Sequence, residues 1–371
     1  MANNQEAVSL QTEKVKKEPL FHIVKRPTIP VWQSIVIRLG AIFAAMLLCG
    51  LICFFVMEIN PFKFFATMID GVFGTERRIW KLLKDLAVLL CISLAVTPAF
   101  KMRFWNIGAE GQVLVSCLTA TACMKFIGGN VPEWALILIM VVLSILAGAV
   151  WGLIPAIFKA KWNTNETLFT LMMNYVATYL VSYFLIKWTP DGSSTIGRLE
   201  HGHLPVLFGN QYLFVIITVA IITVAIFIYL KYSKQGYEIA VVGESQKTAC
   251  YIGISVKKVI IRTMLLSGAL CGVAGLLIVG ALDHTVTTAS AGGQGFTAIM
   301  VSWLAKFNPF TMILTSFLII FLQQGTDKIA SEFNISNAFP SIVTGIILFF
   351  IIGCEFFINY RIVFRNKEAG Q

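Results

Sequence analysis

Few residues in this chain could do polar chemistry within apolar surroundings, and those few are grouped. Residues 105–112 read WNIGAEGQ, which sets Asn106, Glu110 and Gln112 among two glycines where a long apolar run opens. A carboxylate beside apolar segments is costly unless partnered, so Glu110 is a functional candidate. An equal structural reading stands beside it: a glutamate in the first turn of a helix meets the helix dipole favourably and caps it. Asn165 and Glu166 open a later run, and Asn174 lies two turns further in. Residues 289–296 read ASAGGQGF, where Gly295 and its neighbouring glycines let backbone groups approach a ligand or another helix.

Several kinds of chemistry have no residues to carry them. There is no G-x-x-x-x-G-K-[ST] phosphate loop, so ATP is not bound by that device, and no H-E-x-x-H or G-x-S-x-G. No catalytic residues are expected. Eight cysteines include no C-x-x-C pair, and seven of them lie in apolar runs, where cysteine is a small hydrophobe. His201 and His203 flank Gly202 in a polar loop that supplies no further ligands, so no metal site is expected. Acids sit near the ends of apolar runs, not deep within them, unlike the usual pattern of a proton-coupled carrier.

The elements that must hold these residues are membrane-spanning helices. Hydrophobic residues make up 57% of the 371-residue chain and charged residues 13%, about half the charged share of soluble domains. Candidate spans are 35–56, 86–100, 105–124, 135–158, 167–186, 211–230, 263–282, 295–306, 309–326 and 338–358. The second and eighth are too short to cross upright as exposed helices, and such segments survive where protein surrounds them. Ten spans put both termini on one side. Lysine and arginine then divide 20 to 9 in favour of that side, so both termini are expected in the cytoplasm and 190–210 outside. The net charge of +10 is spread over span ends and not gathered in one patch, which argues against nucleic acid. Residues 57–85 fit this scheme least well. They lie outside yet carry five basic residues, and PFKFFATMIDGVFG reads as an amphipathic helix on the outer face. The division expected is a cytoplasmic tail over 1–33, a transmembrane domain over 34–358 and a second tail over 359–371. No cleavable signal is expected at the N-terminus.

Packing signals accompany the spans. Gly268, Gly272 and Gly275 fall on one face of the seventh span, and Gly148 with Gly152 repeats the pattern in the fourth. Such faces allow close helix approach where lipid offers no hydrophobic drive. Pro98, Pro155 and Pro340 are expected to break or kink their spans. Between two uncharged 20-residue runs lies a polar island, 231–262, with six Lys/Arg. Ser245 can cap a short helix there, with Gly253 as its left-handed stop.

Five ordered motifs resemble one family. They are NIGAEGQ (106–112), NETLFTLMMNYVATYL (165–180), VVGESQKTACYIGISVKKV (241–259), LSGALCGVAG (266–275) and GGQGFTAIMVSWLAKFNP (292–309). Together they are similar to the permease subunits of bacterial ABC importers for nucleosides and simple sugars. The likeness is greatest to the longer permease of basic-membrane-lipoprotein-type nucleoside importers, from about Arg38 to Ile358. Cys250, Ile252 and Trp303 depart from the common pattern. The resemblance implies an all-α bundle of about ten transmembrane helices of the cobalamin-importer type in the bacterial cell membrane. It implies a second homologous permease, an ABC ATPase subunit that uses the ATP, and an extracellular substrate-binding lipoprotein. No cofactor is expected on this chain. The island is then a coupling loop, with Gly243, Glu244, Lys247, Ala249, Tyr251 and Gly253 meeting the ATPase, Ala249 and Tyr251 entering a groove on it. Asn106, Glu110, Gln112, Asn165, Asn174 and Gly295 are the candidates for the solute pathway. Side-chain amides read hydroxyls and ring edges without burying charge. A simple sugar or other small solute is the alternative cargo. A secondary carrier is the alternative mechanism, and a scaffold or receptor without transport is a third class.

Overall fold

A computed structural model describes residues 21–26, 30–57, 60–189, 195–336 and 338–364. Thirteen α-helices and one π-helical stretch occur among these residues, and all ten expected apolar segments lie on helices. Seven helices are long and apolar enough to cross a membrane: Val36–Phe55, Glu133–Trp162, Glu166–Trp188, Leu213–Tyr232, Val256–Asp283, Pro309–Glu332 and Phe339–Asn359. The chain is an all-α membrane protein, apart from one small two-stranded sheet.

The described residues fall into two compact units. One holds the chain up to Phe64 and from Ser341 onward, the other Phe65–Pro340. In the first, strand β1 (Phe21–Lys25) pairs antiparallel with β2 (Tyr360–Phe364), Phe21 opposite Phe364, so both ends of the described chain lie together. Helices α1 (Val31–Met57) and α13 (Phe339–Asn359) are tied by the Arg38 guanidinium, whose Nε donates to Glu355 Oε1 at 2.8 Å.

The second unit is built around α3 (Glu76–Lys101), in which every residue from Ala87 to Phe100 is buried. A stretch shielded on all sides needs no polar face, and residues 87–100 are apolar apart from Ser93 and Thr97. Both hydroxyls donate to backbone four residues earlier, at 2.7 Å each, and so are satisfied within the helix. Because α3 begins at Glu76, the expected second span is not short. Ten residues assigned to the preceding loop extend it, capped by Thr75. Helices α3 and α5 (Glu133–Trp162) also run on through Pro98 and Pro155, and Pro340 lies in the first turn of α13, so no span is broken by proline. The amphipathic segment is α2 (Pro61–Phe73), and its Met68 and Val72 are buried.

Helices α4 (Ala109–Phe126), α6 (Glu166–Trp188), α7 (Leu213–Tyr232), α10 (Val256–Leu277) and α12 (Pro309–Glu332) each pack against α3 or α5. The tightest pairing joins α5 to α10. A Cβ on Gly148 would strike the Gly268 carbonyl, one on Gly268 would strike the Gly148 carbonyl, and one on Gly272 would come within 2.6 Å of the Ser144 oxygen. The glycines expected to form small faces on the fourth and seventh spans thus meet each other.

Candidate functional site

Five of the six pathway candidates converge on one polar network. Helix α4 opens after a tight turn, and Asn106 organises that turn from a fully buried position. Its Oδ1 accepts from the Gly108 backbone at 3.0 Å and from Gln112 Nε2 at 3.4 Å, while Nδ2 donates to Ser267 Oγ on α10 at 3.2 Å. Asn174 reaches across from α6. Its Oδ1 accepts from the Gly111 N–H at 2.9 Å and its Nδ2 donates to the Ile107 carbonyl at 2.9 Å. The first N–H groups of a helix have no intrahelical partner, and Asn174 satisfies one of them from outside.

Glu110 caps a helix, but not its own. The π-helical stretch Ile278–Asp283 continues α10, and the chain then returns through 284–293 into α11 (Gln294–Leu304). At 11 residues α11 is about 16 Å long, too short to cross a bilayer core. Glu110 Oε1 accepts from the Gly293 N–H and Oε2 from the Gly295 N–H, both at 2.8 Å. One carboxylate therefore satisfies two orphan donors of a broken helix and meets its positive dipole end. Gly293 has φ +72°, which glycine adopts freely, and a Cβ on Gly295 would press on the Glu110 backbone at 2.5 Å. The sixth candidate, Asn165, lies apart as the cap of α6, where its side chain accepts from Thr167 and Leu168.

An aromatic group beside this network has no counterpart among the sequence-based site candidates. Trp105 and Trp303 stack with centroids 5.5 Å apart, and Phe100 and Phe307 pack edge-on to them. The Trp303 indole lies against that of Trp105. The pairing joins residues far apart in sequence, so only the tertiary structure reveals it.

The basic island holds two helices, one more than expected. Helix α8 (Lys234–Glu244) is capped by Ser233, and α9 (Gln246–Tyr251) by Ser245, whose Oγ accepts from Thr248 at 3.2 Å. Gly253 has φ +82°. Ile239, Val242 and Ala249 bury themselves with Ala99, Ala156 and Met264, rooting both helices in the ends of α3, α5 and α10. Ala249 is fully buried in this chain's own core, so it anchors α9 and does not enter a partner's groove. A Cβ on Gly243 would strike the Lys101 carbonyl. Glu244, Lys247 and Tyr251 face outward, Tyr251 at 91% exposure. Tyr251, Lys247, Lys159, Asn163 and Lys257 border a groove of about 1120 Å³.

At the opposite end of the unit the loop 195–210 is bound to the bundle. His201 Nδ1 lies 2.9 Å from Glu133 Oε1, and the Gly202 N–H donates to Glu133 Oε2 at 2.9 Å. The His203 and His284 rings stack at 3.9 Å, and burial, with the nearby His203 and Arg198, pushes the His284 imidazole down to about 4. No group of three or more metal-suited side chains occurs among the described residues.

A half-buried carboxylate that caps a helix too short to span, and a pair of short helices in a lysine-rich loop between two apolar spans, fit a membrane translocation subunit. A family profile described as "branched-chain amino acid transport system / permease component" matches residues 79–352, and the chain belongs to that family. It is 28% identical over 296 residues to the guanosine ABC transporter permease NupP of Bacillus subtilis, covering 77% of this chain and 84% of that one. It is 26% identical over 334 residues to the nucleoside ABC transporter permease NupB of Lactococcus lactis, covering 86% and 91%. The glucose ABC transporter permease TsgB13 of Haloferax volcanii is 26% identical over 362 residues, covering 93% and 94%. The chain is a permease subunit of an ABC transporter and not an enzyme.

Proposed function

We propose that this chain is one of two homologous permeases in an ATP-driven importer of nucleosides. A separate ATPase subunit supplies the energy and an extracellular lipoprotein delivers the solute. Ten helices cross the bacterial cell membrane in a bundle of the cobalamin-importer type. Both termini and the 231–262 island face the cytoplasm, and 195–210 faces outward. The tails 1–33 and 359–371 flank a transmembrane domain over 34–358. No cofactor is bound by this chain.

The observation that carries this reading is the island. Its outward face presents Glu244, Lys247 and Tyr251, while its inward face is fixed to three central helices. A partner that pulls on Tyr251 moves α3, α5 and α10 together, and closure of the ATPase is thereby converted into reorientation of the bundle. Glu110 and Gly295 support the pathway by holding the short helix α11 in place, Asn106, Gln112 and Asn174 by fixing the turn that opens α4, and Asn165 by fixing the start of α6. Nucleoside is preferred as cargo because two of the similar permeases serve nucleosides. A sugar is the second reading, since a glucose permease matches over nearly the whole chain.

The test is uptake of a labelled purine nucleoside and of labelled glucose by cells lacking this gene, with and without the gene restored. Restoration is expected to return ATP-dependent nucleoside uptake. Restored glucose uptake alone would select the second reading, and uptake that survives ATP depletion but collapses with the proton gradient would make the chain a secondary carrier. No difference in either uptake would overturn transport.

A further inference from the structure

Helix α5 shows what a lipid-facing surface of this chain looks like. Trp134 and Trp162, both exposed, stand near its two ends, about 42 Å apart along the axis, which is the thickness of a bilayer with its headgroups. Over its middle the exposed side chains are Leu138, Val142, Leu143, Leu146 and Val150, all aliphatic. Helix α6 runs beside it, with Lys159 Nζ 2.8 Å from Glu166 Oε2. Its exposed face differs. Tyr175, Tyr179 and Tyr183 fall there at i, i+4 and i+8, with 56%, 73% and 58% exposure. Tyr175 and Tyr179 are the tenth and fourteenth of 23 residues, one on either side of the midpoint. None of the three hydroxyls has a hydrogen-bond partner among the described residues. A phenol hydroxyl without a partner is costly in hydrocarbon, and tyrosine belongs at the membrane–water interface. This face therefore meets something other than lipid.

The backbone supplies a second, independent observation. Gly111 of α4 is held by Asn174, and the residue before it, Glu110, holds Gly293 and Gly295. Consecutive residues of a helix point about 100° apart, so α6 and α11 lie on adjacent sides of the first turn of α4 and at one level. The irregular turn 284–293, with Gly292 exposed, thus reaches the depth of the middle of α6. Non-helical backbone at such depth occurs only inside protein or along a water-filled cavity. Around this turn of α4 the exposed side chains are aromatic. Tyr175 follows Asn174, and Phe296 follows Gly295. Trp105 lies one turn earlier, where its carbonyl accepts from Thr170 Oγ1 at 3.4 Å, and it stacks on Trp303. Phe296, Trp105 and Trp303 are 42–47% exposed, so their ring faces are open.

We propose that Tyr175, Tyr179, Phe296, Trp105 and Trp303 form an aromatic wall of the solute pathway, on which the planar base of a nucleoside stacks as it crosses. The inference rests on the reading of the chain as a nucleoside importer. It moves the solute-facing surface away from Asn106, Glu110 and Asn174, whose polar groups are engaged by the protein's own backbone. Every base presents a flat π-face whatever its edge, so such a wall accepts different bases. The phenol hydroxyls both donate and accept, and so replace water at the base edge.

The test uses the whole importer in lipid nanodiscs. Cys250 is the exposed cysteine among the described residues, so Cys250→Ser supplies the background. Into it Tyr179→Cys is introduced and, on the aliphatic face of α5, Leu146→Cys. Each is treated with a charged methanethiosulfonate, which reacts with thiols in water and not in lipid. Tyr179→Cys is expected to react at least tenfold faster than Leu146→Cys. Millimolar adenosine or free adenine should slow that reaction at least threefold, and ribose should not. Separately, in cells, Tyr175→Ala combined with Tyr179→Ala is expected to lower nucleoside uptake at least tenfold at wild-type membrane levels. Phenylalanine at both positions, which keeps the rings, should hold uptake within threefold of wild type. Equal reactivity of the two cysteines, as for a face covered by lipid or by the sister permease, would overturn the wall. So would protection by ribose equal to that by adenosine, no protection by adenine, or wild-type uptake in the alanine variant. Failure of the underlying reading shows differently: the wild type itself would import no nucleoside.

Discussion

At the residue scale, the decisive group is Glu110. Its two oxygens hold the Gly293 and Gly295 N–H groups, so the carboxylate acts on α11 and not on the helix that carries it. Glu110→Gln keeps one acceptor and turns an NH₂ toward an N–H, while Glu110→Ala leaves both donors unpaired. Each buried unpaired donor costs roughly 1–3 kcal/mol. The alanine variant is therefore expected to lower the melting temperature of the purified complex more than the glutamine variant, and both should slow uptake. Equal melting temperatures for wild type and Glu110→Ala would refute the capping role. His284 gives a pH prediction. Its neutral form is favoured in the folded protein, with protonation there near pH 4 against about 6.5 when unfolded. The stability it lends is complete above pH 6.5 and is lost as pH falls toward 4. Protease cleavage within 195–210 should rise across that window and become less pH-dependent in His284→Asn, a residue that tolerates the positive φ of 54° at this site. An unchanged pH profile would remove His284 from the account.

At the element scale, the α5–α10 contact and the α8–α9 pair behave oppositely. The first is glycine against glycine, with backbone touching backbone. Gly148→Val must push α10 away or strain its own rotamer, an overpacking cost of ~3 kcal/mol. Loss of the intact subunit from detergent extracts is expected, whereas Gly345→Val, at a position where a Cβ meets nothing, should be tolerated. Similar yields for both would mean the glycine faces carry no packing role. In the second, Tyr251→Asp alters a side chain 91% exposed and should leave folding intact while reducing ATPase co-purification and ATP-coupled uptake severalfold. Ala249→Phe, by contrast, overfills the core beneath α9 and should destabilise the subunit itself. Retention of the ATPase and of transport by Tyr251→Asp would make α9 a plain connector.

At the scale of the whole molecule, the antiparallel pairing of β1 with β2 brings both described ends of the chain to one place, and the ten crossings proposed above put both on one side of the membrane. Orientation is then a single binary choice. In a Cys250→Ser background, Glu200→Cys is expected to react with an impermeant thiol reagent in intact cells and Lys247→Cys only after lysis. The reverse pattern would invert the orientation. What the chain's order of residues determined by itself was the apolar helices and some of their local caps. Long uncharged runs can satisfy their backbone in lipid only as helices, and Ser245 and Gly253 cap by short-range rules that any reader of the sequence can apply. The glycine faces were equally legible, because a helical repeat announces them. Partnership was not. That Glu110 caps α11 and not α4, that Ala249 points inward, and that Trp303 finds Trp105 each depend on residues brought together from distant positions. Sequence spacing fixes which face of a helix a side chain occupies, but only the packing of one helix against another fixes what that face meets.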